Sequence, residues 1–315
     1  MNVCVLAGGV GAARFLAGLI RVTDPSSITA IVNVADDMVL HGLHISPDLD
    51  TVTYTLAGAI NPETGWGLAG ESWVAMQELE RLGGAAWFRL GDKDLATHLY
   101  RTQRLAEGAT LAEITDELAR RFGLDCQLLP VTNDAVRTRV TLGPEASGDL
   151  AGREVAFQDW FVGMSHDEPV AALRFEGAEL ASPTPGVTEA LAEADVVVIA
   201  PSNPLVSIEP VLAVPGVRAA VRERRENVVA ISPIVGGRAL KGPADRLMAD
   251  LGIEPSVGGV ARLYAPLAAT LVIDPADTDH VASVEAAGMR CVVTPTVMAG
   301  PPEAAALARE VLNCG

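Results

Sequence analysis

The stretch that most constrains this chain is its first nineteen residues, MNVCVLAGGVGAARFLAGL. Val3, Val5 and Leu6 make a short apolar run with β-branched members, the composition of a buried strand. Gly8, Gly9 and Gly11 follow at once. Ala12 to Leu19 then carries helix formers, with Phe15, Leu16 and Leu19 at helical spacing. Strand, glycine turn and helix together aim backbone N–H groups at a phosphate. The same stretch also reads as a plain βα turn without a ligand. It is not a Walker A loop, because no Lys-Ser/Thr pair follows. It is not a full dinucleotide fingerprint, because Arg14 stands where the last glycine or alanine belongs.

Ser27–Val34 is a second apolar strand, so the opening is a βαβ unit with an expected right-handed crossover. The turn-rich segment 35–51 follows it, with Asp36 and Asp37 at the strand's end and Asp48 and Asp50 beyond. Asp50 is expected to cap a helix over 51–60. Helices over 70–82, 95–104 and 111–122 make residues 50–125 a helical cap inserted over the sheet. Short alternating strands at 127–129, 136–142, 154–161 and 171–175 predict an antiparallel β section within 126–180. Regular alternation then resumes. Asp195–Ala200 ends at Pro201-Ser202-Asn203-Pro204, and Asn227–Ile231 ends at Ser232, ahead of Gly236 and Gly237. Two further strands lie at 271–273 and 291–293. The expected fold is a single α/β domain over 1–315, a Rossmann-like, doubly wound, mostly parallel sheet with the cap and the antiparallel section.

Charge decides which partners this domain suits. The 315 residues carry 40 acidic and 23 basic side chains, a net charge of −17, with a pI near 4.6. Nucleic acid and anionic membrane surfaces are therefore excluded as general partners. An anionic small substrate is not, because local arginines, backbone amides and a metal outweigh a distant field. Cys4, Cys126, Cys291 and Cys314 show no CxxC spacing and read as free thiols. No apolar run reaches the roughly 18 residues of a membrane span, and no secretory leader pattern is visible. The expectation is a soluble, cytoplasmic protein.

Three strand ends carry small polar turns: Gly8–Gly11, Ser202–Asn203, and Ser232 with Gly236. In a doubly wound sheet they converge on one edge, where a nucleotide diphosphate would bind. Asp36, Asp37, Asp48 and Asp50 are hard oxygen donors suited to Mg²⁺ over such a site, though turn formation and capping also account for them. Arg89, Lys93, His98, Arg101 and Arg104 form a basic run fit to offset charge in phosphoryl transfer. Arg101 or Arg104 reads as the solvated face of its helix. Trp66, Trp73, Trp87 and Phe88 either line a slot for a flat ring or belong to the core. No HExxH and no G-x-S-x-G elbow is present.

Six ordered segments carry a resemblance across almost the whole chain: 6–14 (LAGGVGAAR), 45–51 (ISPDLDT), 90–98 (LGDKDLATH), 157–160 (FQDW, after Leu129-Pro130), 200–204 (APSNP) and 231–236 (ISPIVG). They resemble the 2-phospho-L-lactate transferase family of coenzyme F-420 biosynthesis, whose bacterial form uses phosphoenolpyruvate. The resemblance implies a homodimeric, Mg²⁺-assisted transferase. Its donor is a guanosine diphosphate-linked three-carbon acid, and its acceptor is the ribityl hydroxyl of the deazaflavin Fo. It leaves GMP and (dehydro) coenzyme F-420-0. It implies catalytic roles for Asp48, Asp50 and Arg89, with Asp50 and Arg89 matching the deazaflavin contacts and Lys93 and His98 beside them. It puts the nucleotide on Gly8, Gly9, Gly11, Ser202, Asn203, Ser232 and Gly236, and the metal on Asp37, Asp48 and Asp50. Lys93 departs from the arginine common in that family and loses a bidentate fork. From the residues alone two alternatives remain: an NAD(P)-dependent oxidoreductase on a degenerate Rossmann site, and a non-catalytic nucleotide-binding protein. Asn33, rather than an acidic residue, near the end of the second strand counts against the first of these.

Overall fold

A computed structural model describes residues 1–315. The chain runs β1 (Val3–Ala7), α1 (Gly9–Leu19), β2 (Ile28–Val32), a hairpin of β3 (Met38–Leu40) and β4 (Leu43–Ile45), then α2 (Pro47–Leu56), α3 (Val74–Arg81), α4 (Asp92–Ala106) and α5 (Leu111–Arg121). Next come β5 (Gln127–Pro130), β6 (Arg137–Leu142), β7 (Glu154–Ala156) and β8 (Val170–Glu176). The last third alternates again through β9 (Val196–Ile199), β10 (Val228–Ile231), the two-residue strands β11 (Ile234–Val235) and β12 (Arg238–Ala239), β13 (Thr270–Ile273) and β14 (Arg290–Val293). It closes on the helix Pro301–Leu312.

Seven strands form one sheet in the order β14-β13-β10-β9-β1-β2-β5, parallel throughout. The expected doubly wound α/β fold is therefore present. β1 is central and wholly buried, with Val3 paired to Ile28 on one side and Val196 on the other. The chain leaves β1 in both directions of the sheet, so the switch point lies between β1 and β9. Ligands of open parallel sheets bind at the carboxyl ends there. Continuous runs such as VVVI in β9 suit strands covered on both faces. No single helix is long and apolar enough to cross a membrane.

Four local expectations are corrected. Gln127–Pro130 joins the edge of the parallel sheet beside β2 rather than the antiparallel section. That section holds β7, β6 and β8 only. Residues 154–161 are not one strand, because β7 stops at Ala156 and Asp159–Gly163 winds into a π-type turn. Asp50 does not cap its helix. Pro47, with its preset φ, starts α2 earlier and leaves Asp50 inside the first turn. Fourth, part of the helical stretch is not a cover: Val52, Leu56, Leu111 and Ala119 of α2 and α5 belong to the main core. Ile45, Met76 and Leu90 form a separate small cluster under α3 and the approach to α4.

Helix α1 crosses Pro301–Leu312 at Gly18, where an added Cβ would stand 2.3 Å from the Ala304 backbone. Alanine at Gly18 gains about 1 kcal/mol of helix propensity, but overpacking costs about 1–3 kcal/mol, and backbone cannot step aside as a flexible side chain can. Gly18→Ala is expected to be net destabilising, read as a lower urea midpoint. An unchanged or raised midpoint would show that the two helices separate freely.

Candidate active site

The sheet's switch point opens into a cleft of about 820 Å³. Gly8, Gly9 and Gly11 line it from the β1–α1 turn, Ser202 and Asn203 from the end of β9, and Ser232 from the end of β10. Asp48, Asp50, Arg89 and His98 also line it. These ten residues of the expected site thus share one cavity. Asp37, Lys93 and Gly236 stand outside its walls. Asp37 accepts hydrogen bonds from the Ser46 hydroxyl and the His44 ring. Lys93 Nζ donates to the Ala69 carbonyl at 2.9 Å, and the Gly236 N–H donates to Asp277.

The turn is held by contacts that only glycine permits. Gly9 has φ +70°, a region costly for residues with a Cβ. A Cβ on Gly11 would lie 2.1 Å from the Pro201 carbonyl oxygen. The Ser202 hydroxyl donates to the Gly8 carbonyl at 2.7 Å, tying the two strand ends together. Asp48 accepts from the Gly9 N–H at 2.9 Å and from the Asn33 side-chain amide at 3.0 Å. Asn33, wholly buried, thus faces Asp48 and holds no ribose-binding position.

Asp36 also lines the cleft. Burial pushes its carboxyl well above the usual range, and the charges of Asp48 and Asp37 add to the rise. Burial raises Asp48 to about 6, against the lowering effect of its bonds to Asn33 and Gly9. Two buried carboxylates that repel one another and face a cavity suit a hard divalent cation, which prefers oxygen ligands and would relieve both penalties. Asp37 Oδ1, buried without a hydrogen-bond partner, adds to the local excess of negative charge.

Asp50 sits in a different environment. Arg101 grips it in a two-pronged pair, with Nη1 to Oδ2 at 3.1 Å and Nη2 to Oδ1. His98 Nδ1 lies 3.7 Å from Asp50 Oδ2. On its other side His98 Nε2 stands 3.4 Å from Asp94 Oδ2, within ionic reach but without hydrogen-bond geometry. Tyr54 donates to Asp94 at 2.7 Å. Burial raises Asp50 and the Arg101 charge pulls it back. Burial likewise works to raise Asp94, but its contacts with His98 hold it below the ordinary value. Asp50, Asp94 and His98 each offer a ligand atom within 4.8 Å of the others. Arg101 already neutralises Asp50, whereas Asp36 and Asp48 have no cationic partner, so Asp36 and Asp48 are the better oxygen pair for a metal.

Arg101 overturns an expectation. It is 1% exposed, not a solvated face. Asp94, His98 and Arg101 fall at i, i+4 and i+7 along α4, the spacing that would have revealed one inward polar stripe. Arg104, by contrast, pairs with Glu107 and Glu117 away from the cleft. Aromatic residues also line the cavity: Trp66, Trp87 and Phe88, and, unforeseen, Phe157 and Phe161. The two phenylalanines stack at 5.2 Å. Arg89 lies over the Trp73 ring at 4.7 Å.

A glycine turn, convergent serines, buried carboxylates and flat aromatic walls at a switch point define a doubly wound α/β protein with a ligand-sized cleft at the carboxyl edge of its sheet. The chain belongs to the 2-phospho-L-lactate transferase CofD family, whose profile matches residues 3–294. Phosphoenolpyruvate transferases are its near relatives. That of Kitasatospora aureofaciens is 44% identical over 99% of this chain and 97% of its own. That of Streptomyces griseus is 44% identical, covering 99% and 98%, and that of Mycobacterium ulcerans 43%, with the same coverage. Two crystal structures of a UPF0052-family protein from Bacillus halodurans share the fold. They have TM-scores of 0.61 and 0.63 at 18% and 19% identity, and cover 99% of this chain and 98% and 99% of theirs. The protein is thus a transferase of this family, and the oxidoreductase and non-catalytic readings fall away.

Removing Arg101 would leave Asp50 buried and unpaired. Arg101→Met is expected to cost about 3–5 kcal/mol, and adding Asp50→Asn should restore part of that loss. Urea denaturation of the two single variants and the double variant measures the coupling. Strict additivity would show that the pair contributes no interaction.

Proposed function

We propose that this transferase moves a phosphoenolpyruvyl or 2-phospholactyl group from a guanosine diphosphate-linked donor to the ribityl hydroxyl of the deazaflavin Fo, releasing GMP and forming (dehydro) coenzyme F-420-0. The observation that carries this reading is that one cleft is lined both by the phosphate-type turn Gly8–Gly11 with Asp36 and Asp48, and by a set of flat aromatic walls with Arg89. The first set suits a nucleotide diphosphate, the second a planar heterocycle. The names of the relatives supply the three-carbon group.

In this reading the acceptor oxygen attacks the phosphorus that bears the organic acid. The bond from that phosphorus to the GMP oxygen breaks, and the electron pair leaves with GMP. Asp50, held in one orientation by Arg101 and His98, accepts the hydroxyl proton or orients the hydroxyl. Arg89, lining the cleft over the Trp73 ring, would hold the deazaflavin. The Gly9 and Gly11 turn, with Ser202, Asn203 and Ser232, seats the nucleotide. Asp48 and Asp36 would hold Mg²⁺, which when bound would neutralise phosphate charge. No enzyme nucleophile is required, because positioning and charge do most of the work in such transfers.

Asp50→Asn is expected to lower turnover by roughly 10²–10⁴-fold while guanosine nucleotide affinity holds. Product formation from Fo and the guanosine-linked donor, followed by mass spectrometry, measures the first, and calorimetric titration the second. Normal turnover would exclude the carboxylate from the chemistry. No new deazaflavin product from the unaltered protein would sink the reading itself.

Metal binding should also depend on pH. Asp48 is raised to about 6, so it takes up a proton as pH falls from 7 to 5, and a proton competes with a cation. Mg²⁺ affinity is expected to weaken across that interval, more steeply than ordinary carboxylates would allow. Titration calorimetry at pH 7, 6 and 5 tests this. A flat profile would place the metal elsewhere.

A further inference from the structure

Three cationic side chains line the cleft: Arg14, Arg89 and Lys241. Arg89 rests on Trp73. The other two have no evident support. Arg14 lies in the second turn of α1, and Lys241 in the loop after β12. Neither forms an ion pair or a side-chain hydrogen bond, although arginines elsewhere commonly do, Arg104, Arg139, Arg174 and Arg262 among them. In a chain with 40 acidic residues, two cations without a carboxylate between them are an anomaly.

They are also close enough to repel. Lys241 is lowered by burial and then by the charge of Arg14. Its Nζ would lie 3.0 Å from a Cβ on Gly65, a position that also abuts Val10 in the first turn of α1. Lys241 therefore reaches back over the helix whose N-terminus carries the glycine turn. Like charges near one another on the wall of a cleft are destabilising in the free protein, and an anion bound between them offsets that cost.

We propose that Arg14 and Lys241 form an anion subsite that takes a phosphoryl group of the guanosine nucleotide. The proposal rests on the transfer reading above. In it the pair performs a distinct task from Asp36 and Asp48: it binds phosphate charge directly, without a metal. During transfer the bond between phosphorus and the GMP oxygen breaks and negative charge gathers on the departing phosphate. Cations placed there stabilise that charge where it develops.

The test is calorimetric titration with guanosine, GMP and pyrophosphate in buffer containing a metal chelator. The proteins are the unaltered chain, Arg14→Met, Lys241→Met, Lys241→Arg and, as a control for net charge, Arg81→Met on the exposed face of α3. GMP and pyrophosphate are expected to bind roughly 10- to 100-fold more weakly to either methionine variant of the pair, the worth of a charge-assisted hydrogen bond. Guanosine should bind all five alike. Lys241→Arg should recover most of the loss, and Arg81→Met should show none. Unchanged GMP and pyrophosphate affinity in both methionine variants would overturn the subsite, as would an equal loss for guanosine or no phosphate binding by the unaltered chain. If pyrophosphate follows the expected pattern while GMP and guanosine fail to bind at all, the subsite stands and the guanosine reading falls.

Discussion

The site depends on one carboxylate. Asp48 accepts the Gly9 N–H with one oxygen and the Asn33 side chain with the other. It thereby joins the β1–α1 turn, the end of β2 and the first turn of α2. The fit is tight: a Cβ on Gly8 would stand 2.8 Å from Ser207 Cβ and 3.0 Å from Asp48 Oδ2. Ser202 completes the joint by bonding the Gly8 carbonyl from the end of β9. Three strand ends and two helix starts are thus locked around one buried charge. The cost is visible in the rise of Asp48 to about 6. A carboxylate with both oxygens already bonded and still above its ordinary range stands to gain from a cation, so the group that builds the site is also one prepared to bind.

How much of this can be read from sequence depends on the range of the interactions involved. β1, β9 and β10 are apolar runs bounded by small polar turns, and such local signals placed Ser202 and Ser232 on the same edge as Gly8. Sheet membership is a long-range property. Gln127–Pro130 carries no mark of whether it pairs with β2 or with β6, and a four-residue strand is too short to declare a partner. The same holds for Arg101. A charge on a helix defaults to solvent, and only its partner, 51 residues away in α2, makes burial tolerable. Asp50 was legible as a site residue but not as the centre of an ion pair. The turn of β3 and β4 was hidden in a polar loop. Its two positive-φ residues, His41 and Gly42, make a hairpin where composition suggested only irregular chain.

The pair of Asp50 and Arg101 is not best read as a stabilising device. Burying both ions costs several kcal/mol apiece before their attraction is counted. Tyr54, Asp94 and His98 extend the arrangement into a string of polar groups along the cleft wall, each held against the next. What such a string supplies is orientation. Asp50 cannot rotate without breaking contacts to Arg101, and Arg101 is confined by His44 and His98. In the proposed transfer, a base that must meet a hydroxyl within hydrogen-bond distance would gain more from fixed geometry than from extra stability.

The same logic accounts for how an acidic protein could handle the acidic substrate proposed above. A net charge of −17 sets a repulsive far field, but mobile ions screen exposed charges beyond about 8 Å at physiological ionic strength. Inside the cleft the field is set by neighbours: the N–H groups of the glycine turn, Arg14 and Lys241 without counter-ions, and Arg89 on its indole shelf. The carboxylates of Asp36 and Asp48 share that cavity and would repel a diphosphate if they faced it bare. A divalent cation held between them, as proposed, would change the sign of that wall. The cleft would then present positive charge from two sources that respond differently to conditions, one removable with a chelator and one built into the chain. In the proposed transfer that separation would give a metal and the cation pair independent signatures, even though both would act on a single diphosphate.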